Sequence, residues 1–279
     1  MIKLVVDSTC NLSPDTLKKH DVRVAPISIQ FGTESFEEGI NIDREIFYRK
    51  IDELGIIPTT AQPTPAWFAK YYRELTDEGH SILVIAITSK HSGTYDSAIL
   101  AKSMVEDAEV EVFDSRSISL GTGFMVLEAA RAIEAGQDLQ TIVSRLEQIR
   151  ARASLMFTPS TLKYLQMSGR VGRLQGALGS LLDLKPIIVL DDGELAVKEN
   201  VRTRGKAINR LLELTEEAVG TSAPVNLGVF HANAEAEGRN LLELAQARLN
   251  VNEVLFADLV SSLAVHGGPG ILALTAYQF

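Results

Sequence analysis

The chain has 279 residues, of which 46% are apolar and 23% charged; this length suits two globular domains, and the composition excludes a disordered or fibrous chain. Its formal net charge of -9 excludes the broad positive surface that binds nucleic acids or anionic membranes without specificity. We therefore expect no nucleic-acid partner and at most transient membrane contact. The single cysteine, Cys10, excludes an internal disulfide and indicates a reducing compartment, so we expect a cytoplasmic protein.

Six β-branched or aliphatic runs predict strands, at residues 3–6, 82–87, 110–113, 187–190, 225–230 and 271–276. Helix-length segments separate most of them, so the sequence predicts an α/β fold with at least one largely parallel sheet. The longest unbroken aliphatic run, 82–87, is far shorter than the ~20 residues that span a bilayer. Because Asp7 interrupts the first run early, we expect no export signal.

Turn and cap residues refine this reading. Hydroxyl-proline pairs predict helix starts at Ser13-Pro14, Thr64-Pro65 and Thr158-Pro159. Asp192-Gly193 predicts a hairpin, so antiparallel pairing is expected in the second half of the chain and largely not in the first. We place the domain boundary at residue 156, giving domains 1–156 and 157–279.

Several common cofactor motifs are missing from the sequence. The first strand is followed by Asp7-Ser8-Thr9 instead of a glycine turn, and Gly121-Thr122-Gly123 lacks the third glycine of a dinucleotide fingerprint. The chain has no phosphate-binding G-x-x-x-x-G-K-[ST] loop, no H-E-x-x-H motif and no paired cysteines. We therefore expect no nucleotide cofactor and no metal.

Five segments combine hydroxyls, glycines or arginines in ways that a plain core does not need. Residues 7–12 form a polar cluster after the first strand, where open α/β sheets bind ligands, although turn chemistry explains them equally well. Residues 59–65 and 88–98 each lead into a helix start, and free N–H groups there favour an anion. The remaining two are residues 266–270, with a histidine beside glycines, and 168–173, which together with Arg202 and Arg204 concentrates positive charge.

Taken together, these segments resemble the DegV family of bacterial fatty-acid-binding proteins. The resemblance runs from Asp7-Ser8-Thr9 through 60–64 and 92–95 to His266-Gly267-Gly268-Pro269-Gly270, with Gly169-Arg170 and Lys185-Pro186 between them. Two positions depart from the family pattern: Ala61 replaces a usual serine, and Lys90-His91 replaces a small or apolar pair. These departures change the expected surroundings of the head group and not the residues that bind it.

The resemblance implies the two-domain DegV-like (EDD) fold, with a mostly parallel N-terminal sheet, a mixed or antiparallel C-terminal sheet, and a lipid site between the domains. It implies that Thr60, Ser92 and His266 hydrogen-bond the carboxylate of a long-chain fatty acid, and Gln62, Gly93 and Thr94 belong to the same motifs. It further implies a carrier without catalysis of its own, which presents the lipid to an ATP-dependent kinase subunit for conversion to an acyl phosphate. Arg170, Arg173 and Arg202 are then candidates for contacting that partner or the phosphate.

Two other readings of the same residues stay open at this point. In an esterase or acyl hydrolase, Ser92 would be the nucleophile, His266 the base, and Asp7 or Asp114 the orienting carboxylate. Ser92 lacks the G-x-S-x-G turn that exposes such a nucleophile, which counts against this reading. In the second alternative, the chain is a binding module for another anionic small molecule such as a sugar phosphate.

Overall fold

The computed structural model describes residues 1–171 and 184–278, and the chain divides into two compact units. The first unit comprises Met1–Gln148 together with the short segment Val260–Ser262, and the second comprises Ile149–Leu259 and Leu263–Phe279. The division therefore falls earlier than residue 156. A short segment near the C-terminus also returns to the first unit, which no sequence pattern indicated.

The first unit contains two sheets. Its strands are β1 (Ile2–Asp7), β2 (Arg23–Ala25), β3 (Ser28–Phe31), β4 (Glu34–Glu37), β5 (Thr59–Ala61), β6 (Ser81–Ala86) and β7 (Val110–Asp114). Four of them form an entirely parallel sheet in the order β2-β1-β6-β7. The other three form a small antiparallel sheet in the order β4-β3-β5, so the first half contains antiparallel pairing that we did not predict.

The helices up to residue 152 are α1 (Pro14–Lys19), α2 (Arg44–Leu54), α3 (Pro65–Asp77), α4 (Thr94–Lys102), α5 (Ser119–Glu134) and α6 (Leu139–Arg152). Of these, α3, α4 and α5 contact strands of the parallel sheet. Phe68 and Tyr72 of α3 and Ala98 of α4 are fully buried in one core cluster with Val5 and Val84 of the sheet. Burying large aromatic and aliphatic side chains of this kind contributes about 1.5–3 kcal/mol each, so this cluster is a main source of stability.

The second unit is built on one six-stranded sheet. Its strands are β8 (Ser154–Thr158), β9 (Lys185–Asp191), β10 (Glu194–Val201), β11 (Val225–His231), β12 (Val251–Asp258) and β13 (Leu272–Gln278), in the order β10-β9-β8-β13-β11-β12. β11 and β12 are parallel, and the other neighbouring pairs are antiparallel. Among the described residues after β8, the helices are α7 (Lys163–Met167), α8 (Arg204–Val219), α9 (Glu235–Arg248) and α10 (Ser261–Gly267). The predicted mixed sheet is thus confirmed.

Most local predictions hold. Each of the six predicted runs lies on a strand, and the Asp192-Gly193 hairpin joins β9 to β10 with positive φ at both residues, as a type I′ turn requires. The predicted helix start at Thr158-Pro159 is wrong, because β8 ends at Thr158 and the next helix begins only at Lys163. Within the described residues, no helix has the length and apolarity needed to cross a membrane.

Candidate functional site

The parallel sheet of the first unit has a topological switch point between β1 and β6, because the connection from β1 runs to β2 on one side and later strands add on the other. In open parallel sheets ligands bind outside the carboxyl ends of the strands at such a point. The carboxyl end of β1 leads into Asp7-Ser8-Thr9, with Asp7 as the last residue of the strand, and that of β6 leads through Ile87 into residues 88–93. Both belong to the predicted polar segments.

Asp7 joins these two segments. Its Oδ2 accepts a hydrogen bond from the backbone N of Ile87 at 2.8 Å, and its Oδ1 accepts from the backbone N of Thr9 at 3.0 Å and from the Thr9 hydroxyl. Burial raises the pKa of the Asp7 carboxyl, whereas these hydrogen bonds act in the opposite direction. Asp7 is therefore a structural tie that fixes the two strand ends relative to each other.

The segment after β6 presents hydroxyls at the start of α4. Ser92 Oγ lies 2.8 Å from Thr94 Oγ1, and the backbone N of Thr94 donates to Ser92 Oγ at 3.3 Å. Thr94 is fully buried, whereas Ser92 is half-buried. Thr94 thus orients the Ser92 hydroxyl while Ser92 stays accessible to a ligand.

The segment after β5 lies against this helix start. A Cβ atom built on Gly93 would be 2.7 Å from Nε2 of Gln62, so the absence of a side chain at Gly93 makes room for the Gln62 amide. Thr60, two residues before Gln62 on β5, is half-buried and pairs with Ile29 of β3. The structure therefore brings Gln62, Gly93, Ser92 and Thr94 together in the first unit, and their binding roles stay predictions.

His266 belongs to the second unit and lies in the last turn of α10, half-buried, rather than in the glycine-proline turn where we expected it. The turn begins after it: Gly268 has φ +75°, and its N–H donates to the carbonyl of Ala264 at 2.8 Å, which ends the helix. A side chain at Gly268 would collide with the ring of Tyr164. The glycines therefore terminate α10 and fix the position of its last turn.

Arg204 donates a hydrogen bond to the same glycine turn. Its guanidinium donates to the carbonyls of Gly270 at 2.6 Å and Thr158 at 3.3 Å, and it pairs with Glu237 at 3.1 Å. Ser160 Oγ also donates to the Gly270 carbonyl, at 3.2 Å. The sequence placed Arg204 among the basic residues of a possible anion site, and the structure gives it an internal anchoring role.

Of the three arginines predicted for a partner or phosphate, Arg170 and Arg202 lie within the described residues, and their surroundings differ. Arg170 is half-buried and donates to the carbonyl of Ser168 at 2.5 Å, just after α7. Arg202 is exposed in the turn between β10 and α8. Arg173 lies outside the described residues. No metal-binding group of histidine, cysteine and carboxylate side chains is found in residues 1–171 and 184–278.

Sequence reasoning missed one acidic residue, Glu38. Its side chain is buried at the end of β4 and accepts hydrogen bonds from Ser8 Oγ at 2.6 Å, from the backbone N of Ser262 at 2.7 Å and from Ser262 Oγ at 2.6 Å. An isolated glutamate carries no motif, and its partners lie far away in the sequence, so no local signal could have identified it.

The structure gives both candidate orienting carboxylates of the esterase reading a local structural role. Both candidate orienting carboxylates are engaged by nearby groups: Asp7 by Thr9 and Ile87, and Asp114 by the backbone N of Ser89 at 3.2 Å and its hydroxyl at 2.6 Å. A carboxylate that orients a catalytic histidine needs its oxygens directed at the imidazole N–H. In the structure, these oxygens accept hydrogen bonds from residues of the neighbouring loops.

Comparisons with known proteins agree with this description. The family model described as DegV, a family of uncharacterised proteins, matches residues 1–278. A DegV domain-containing protein from Halalkalibacterium halodurans is 34% identical over 277 residues, covering 99% of this chain and 98% of the relative.

The solved structures that resemble this chain include lipid-binding relatives. A DegV family protein from Thermus thermophilus, described as binding fatty acid, has a TM-score of 0.92 at 33% identity and covers 100% of this chain and 99% of its own. DegV of Bacillus subtilis, described as a fatty acid binding protein, has a TM-score of 0.92 at 32% identity, with 100% and 99% covered. A stearic acid-binding protein from Eubacterium ventriosum has a TM-score of 0.92 at 29% identity, with 100% and 98% covered.

Proposed function

Because the chain belongs to the DegV family, we propose that it binds a long-chain fatty acid and holds the carboxylate through Thr60, Ser92 and His266. The observation that carries this proposal is the likeness, over the whole chain, to solved structures described as fatty-acid-binding. The local geometry supports it, because Thr60 and Ser92 are half-buried hydroxyls on two segments that the Gln62–Gly93 contact holds together.

The energetics of such a ligand suit a small polar site. Each buried methylene contributes about 0.8 kcal/mol, so an acyl tail supplies most of the affinity. A carboxylate withdrawn from water, in contrast, is costly unless donors satisfy it. Two hydroxyls and an imidazole provide this compensation, and the start of α4 adds the positive end of a helix dipole near Ser92.

We further propose that the chain is a carrier that presents the carboxylate to a separate ATP-binding kinase subunit, which forms the acyl phosphate. Half-buried head-group residues support this role, because a second protein could reach the carboxylate without removing the tail. Arg202 is exposed and suits a protein contact, whereas Arg170 is half-buried and suits the new phosphate.

Lipid binding is tested on the freshly purified chain by denaturing mass spectrometry, which should release a fatty acid acquired from the host. After delipidation, the Kd for a fluorescent fatty acid should rise at least about tenfold in Thr60→Ala and Ser92→Ala, the loss expected for hydrogen bonds to a charged group. Matched controls are Thr59→Ala, the exposed neighbour on β5, and Ser103→Ala, at the far end of α4; both should bind as the wild type does. A chain that neither carries nor binds fatty acid contradicts the proposal.

The carrier role is tested with hydroxylamine, which traps acyl phosphates. The lipid-loaded chain with Mg-ATP alone should give no hydroxamate, and addition of the fatty-acid kinase subunit of the same organism should give it. Arg170→Ala and Arg202→Ala should lower the rate and leave the Kd for fatty acid unchanged, while Arg239→Ala, an exposed arginine paired with Glu235, should change neither. Hydroxamate formed by the chain alone would refute the carrier role.

A further inference from the structure

Glu38 is a buried carboxylate whose hydrogen-bond partners are neutral. Its side chain is 8% exposed, and three donors from Ser8 and Ser262 surround it. Burial raises the pKa of the Glu38 carboxyl, and the hydrogen bonds from Ser262 and Ser8 oppose that rise. No cation of residues 1–171 and 184–278 pairs with it. A buried acid in such surroundings is costly to maintain, so its position calls for a reason beyond packing.

The backbone of Glu38 is fixed as firmly as its side chain. Its N–H donates to the carbonyl of Ile27 at 3.0 Å, and the N–H of Ile27 donates in turn to Ser8 Oγ at 3.0 Å. The carboxylate therefore projects from a rigid point and acts as a fixed acceptor. Any group that it holds is fixed to the same framework.

The group it holds is the beginning of α10. The backbone N–H groups in the first turn of a helix have no acceptor within the helix, and Glu38 accepts from one of them, that of Ser262. Just before the helix, the N–H of Val260 donates to Oδ1 of Asn11 at 2.7 Å. A carboxylate at this position also interacts favourably with the positive end of the helix dipole.

His266 lies in the last turn of α10, one turn after Ser262. Residues four apart lie on the same face of a helix, and α10 has only seven residues. So short a helix is not stable by itself, and its position depends on its anchors. An anchor at its first turn therefore sets where its last turn lies.

We propose that Glu38 is a positioning residue for the lipid head group, acting through Ser262 and α10 on the placement of the His266 imidazole. This inference rests on the proposed function, because it gives Glu38 a role only through a contact of His266 with the carboxylate. Glu38 itself is not assigned any contact with the lipid.

The test is a double-mutant cycle on the Kd of the delipidated full chain for a fluorescent fatty acid. Glu38→Ala should raise the Kd about tenfold in the wild-type background and have little further effect in His266→Ala. Glu38→Gln should recover most of the affinity, because its amide oxygen still accepts from the Ser262 N–H. The matched control is Glu128→Ala, which removes a carboxylate that is 2% exposed and paired with Arg131 and Arg145. It should lower Tm without changing the Kd.

Three outcomes would overturn the inference. The increases in Kd caused by Glu38→Ala and His266→Ala could multiply in the double mutant, the Kd of folded Glu38→Ala could equal that of the wild type, or Glu38→Gln could bind as weakly as Glu38→Ala.

Should circular dichroism show that Glu38→Ala is unfolded, Ser262→Ala replaces it in the same double-mutant cycle. It removes one of the two Ser262 donors, so we expect about a threefold effect that is also absent in His266→Ala. A wild-type chain without any affinity for fatty acid overturns the proposed function and this inference together, whereas normal wild-type binding with multiplying effects overturns this inference alone.

Discussion

Replacing Gly123 with alanine tests how tightly α5 packs against the polar turn that follows β1. A Cβ atom at this position would lie 2.7 Å from the carbonyl oxygen of Cys10 and 3.1 Å from a methyl carbon of Leu12. The carbonyl belongs to the backbone and cannot rotate away, so the helix or the turn must shift. Overpacking of this kind costs about 1–3 kcal/mol, and removing a helical glycine offsets about 0.5–1 kcal/mol of it. Because the clash is with a backbone atom, we take the upper part of the cost range and expect a net loss of about 1–2 kcal/mol.

The assay is thermal unfolding followed by circular dichroism. For a chain of this size the loss corresponds to a fall in Tm of roughly 2–6 °C. Gly205→Ala near the start of α8 is the control, because no heavy atom lies within 4 Å of its added Cβ, and it should leave Tm unchanged or slightly higher. A Gly123→Ala protein as stable as the wild type would refute the close-packing argument.

Three further predictions concern the same unit. Gly93→Ala should leave Tm within about 2 °C, because the added methyl meets only the mobile end of Gln62, yet it should weaken fatty-acid binding; unchanged binding would remove both residues from the site. Burial raises the pKa of the Cys10 thiol to about 12, so a thiol reagent at pH 8 should react only after denaturation, and rapid labelling of the native chain would contradict this. Burial raises the pKa of the Asp7 and Glu38 carboxyls, so the folded state binds their protons more tightly. Their contribution to stability therefore falls as pH rises from the ordinary pKa values, 3.8 for Asp7 and 4.5 for Glu38, through the raised ones. The Tm of Glu38→Gln should therefore rise relative to the wild type between pH 4.5 and 8, and a constant difference would contradict the assignment.

The sequence predicted the strands that are buried on both faces and missed those stabilised by distant partners. The run 82–87 is continuous and aliphatic, as expected of the central strand β6, which is buried along nearly its whole length. β3 has four residues with one exposed glutamine, and it exists because β4 and β5 pair with it on both sides. Such pairing depends on residues up to about 30 positions away, which a local pattern does not contain.

A hydroxyl-proline pair can either begin a helix or end a strand, which explains the wrong prediction of a helix start at Thr158-Pro159. A hydroxyl followed by proline caps a helix at Ser13-Pro14, where Ser13 Oγ accepts from the backbone N of Thr16 at 3.2 Å. At Thr158 the same pair ends a strand, because proline lacks the N–H that a further ladder bond needs. The two outcomes differ only in the tertiary partners available, and β13 supplies one for Thr158 through its pairing with Leu272.

Candidate site residues could be predicted where they belong to motifs, and Glu38 shows why others could not. Its principal partner, Ser262, is separated from it by 224 positions, and neither residue stands in a recognisable pattern. A surface glutamate and a buried one look alike in sequence, although the buried one costs free energy that only distant donors offset. The structure identifies Glu38 through those donors.

The buried polar side chains of the first unit explain how a few half-buried hydroxyls could bind a carboxylate without first being ordered. Ser115 Oγ lies 3.1 Å from Thr122 Oγ1 and accepts from the N–H of Ser117 at 3.1 Å, and the Thr88 N–H donates to the carbonyl of Ser117 at 2.9 Å. These bonds connect the ends of β6 and β7 to the start of α5 before any ligand arrives. Binding at a framework that is already ordered avoids the cost of immobilising side chains, which is about 0.5–1.5 kcal/mol for each one. If the chain binds a fatty acid as proposed, the free energy of burying the acyl tail would then appear as affinity rather than as the cost of organising the site.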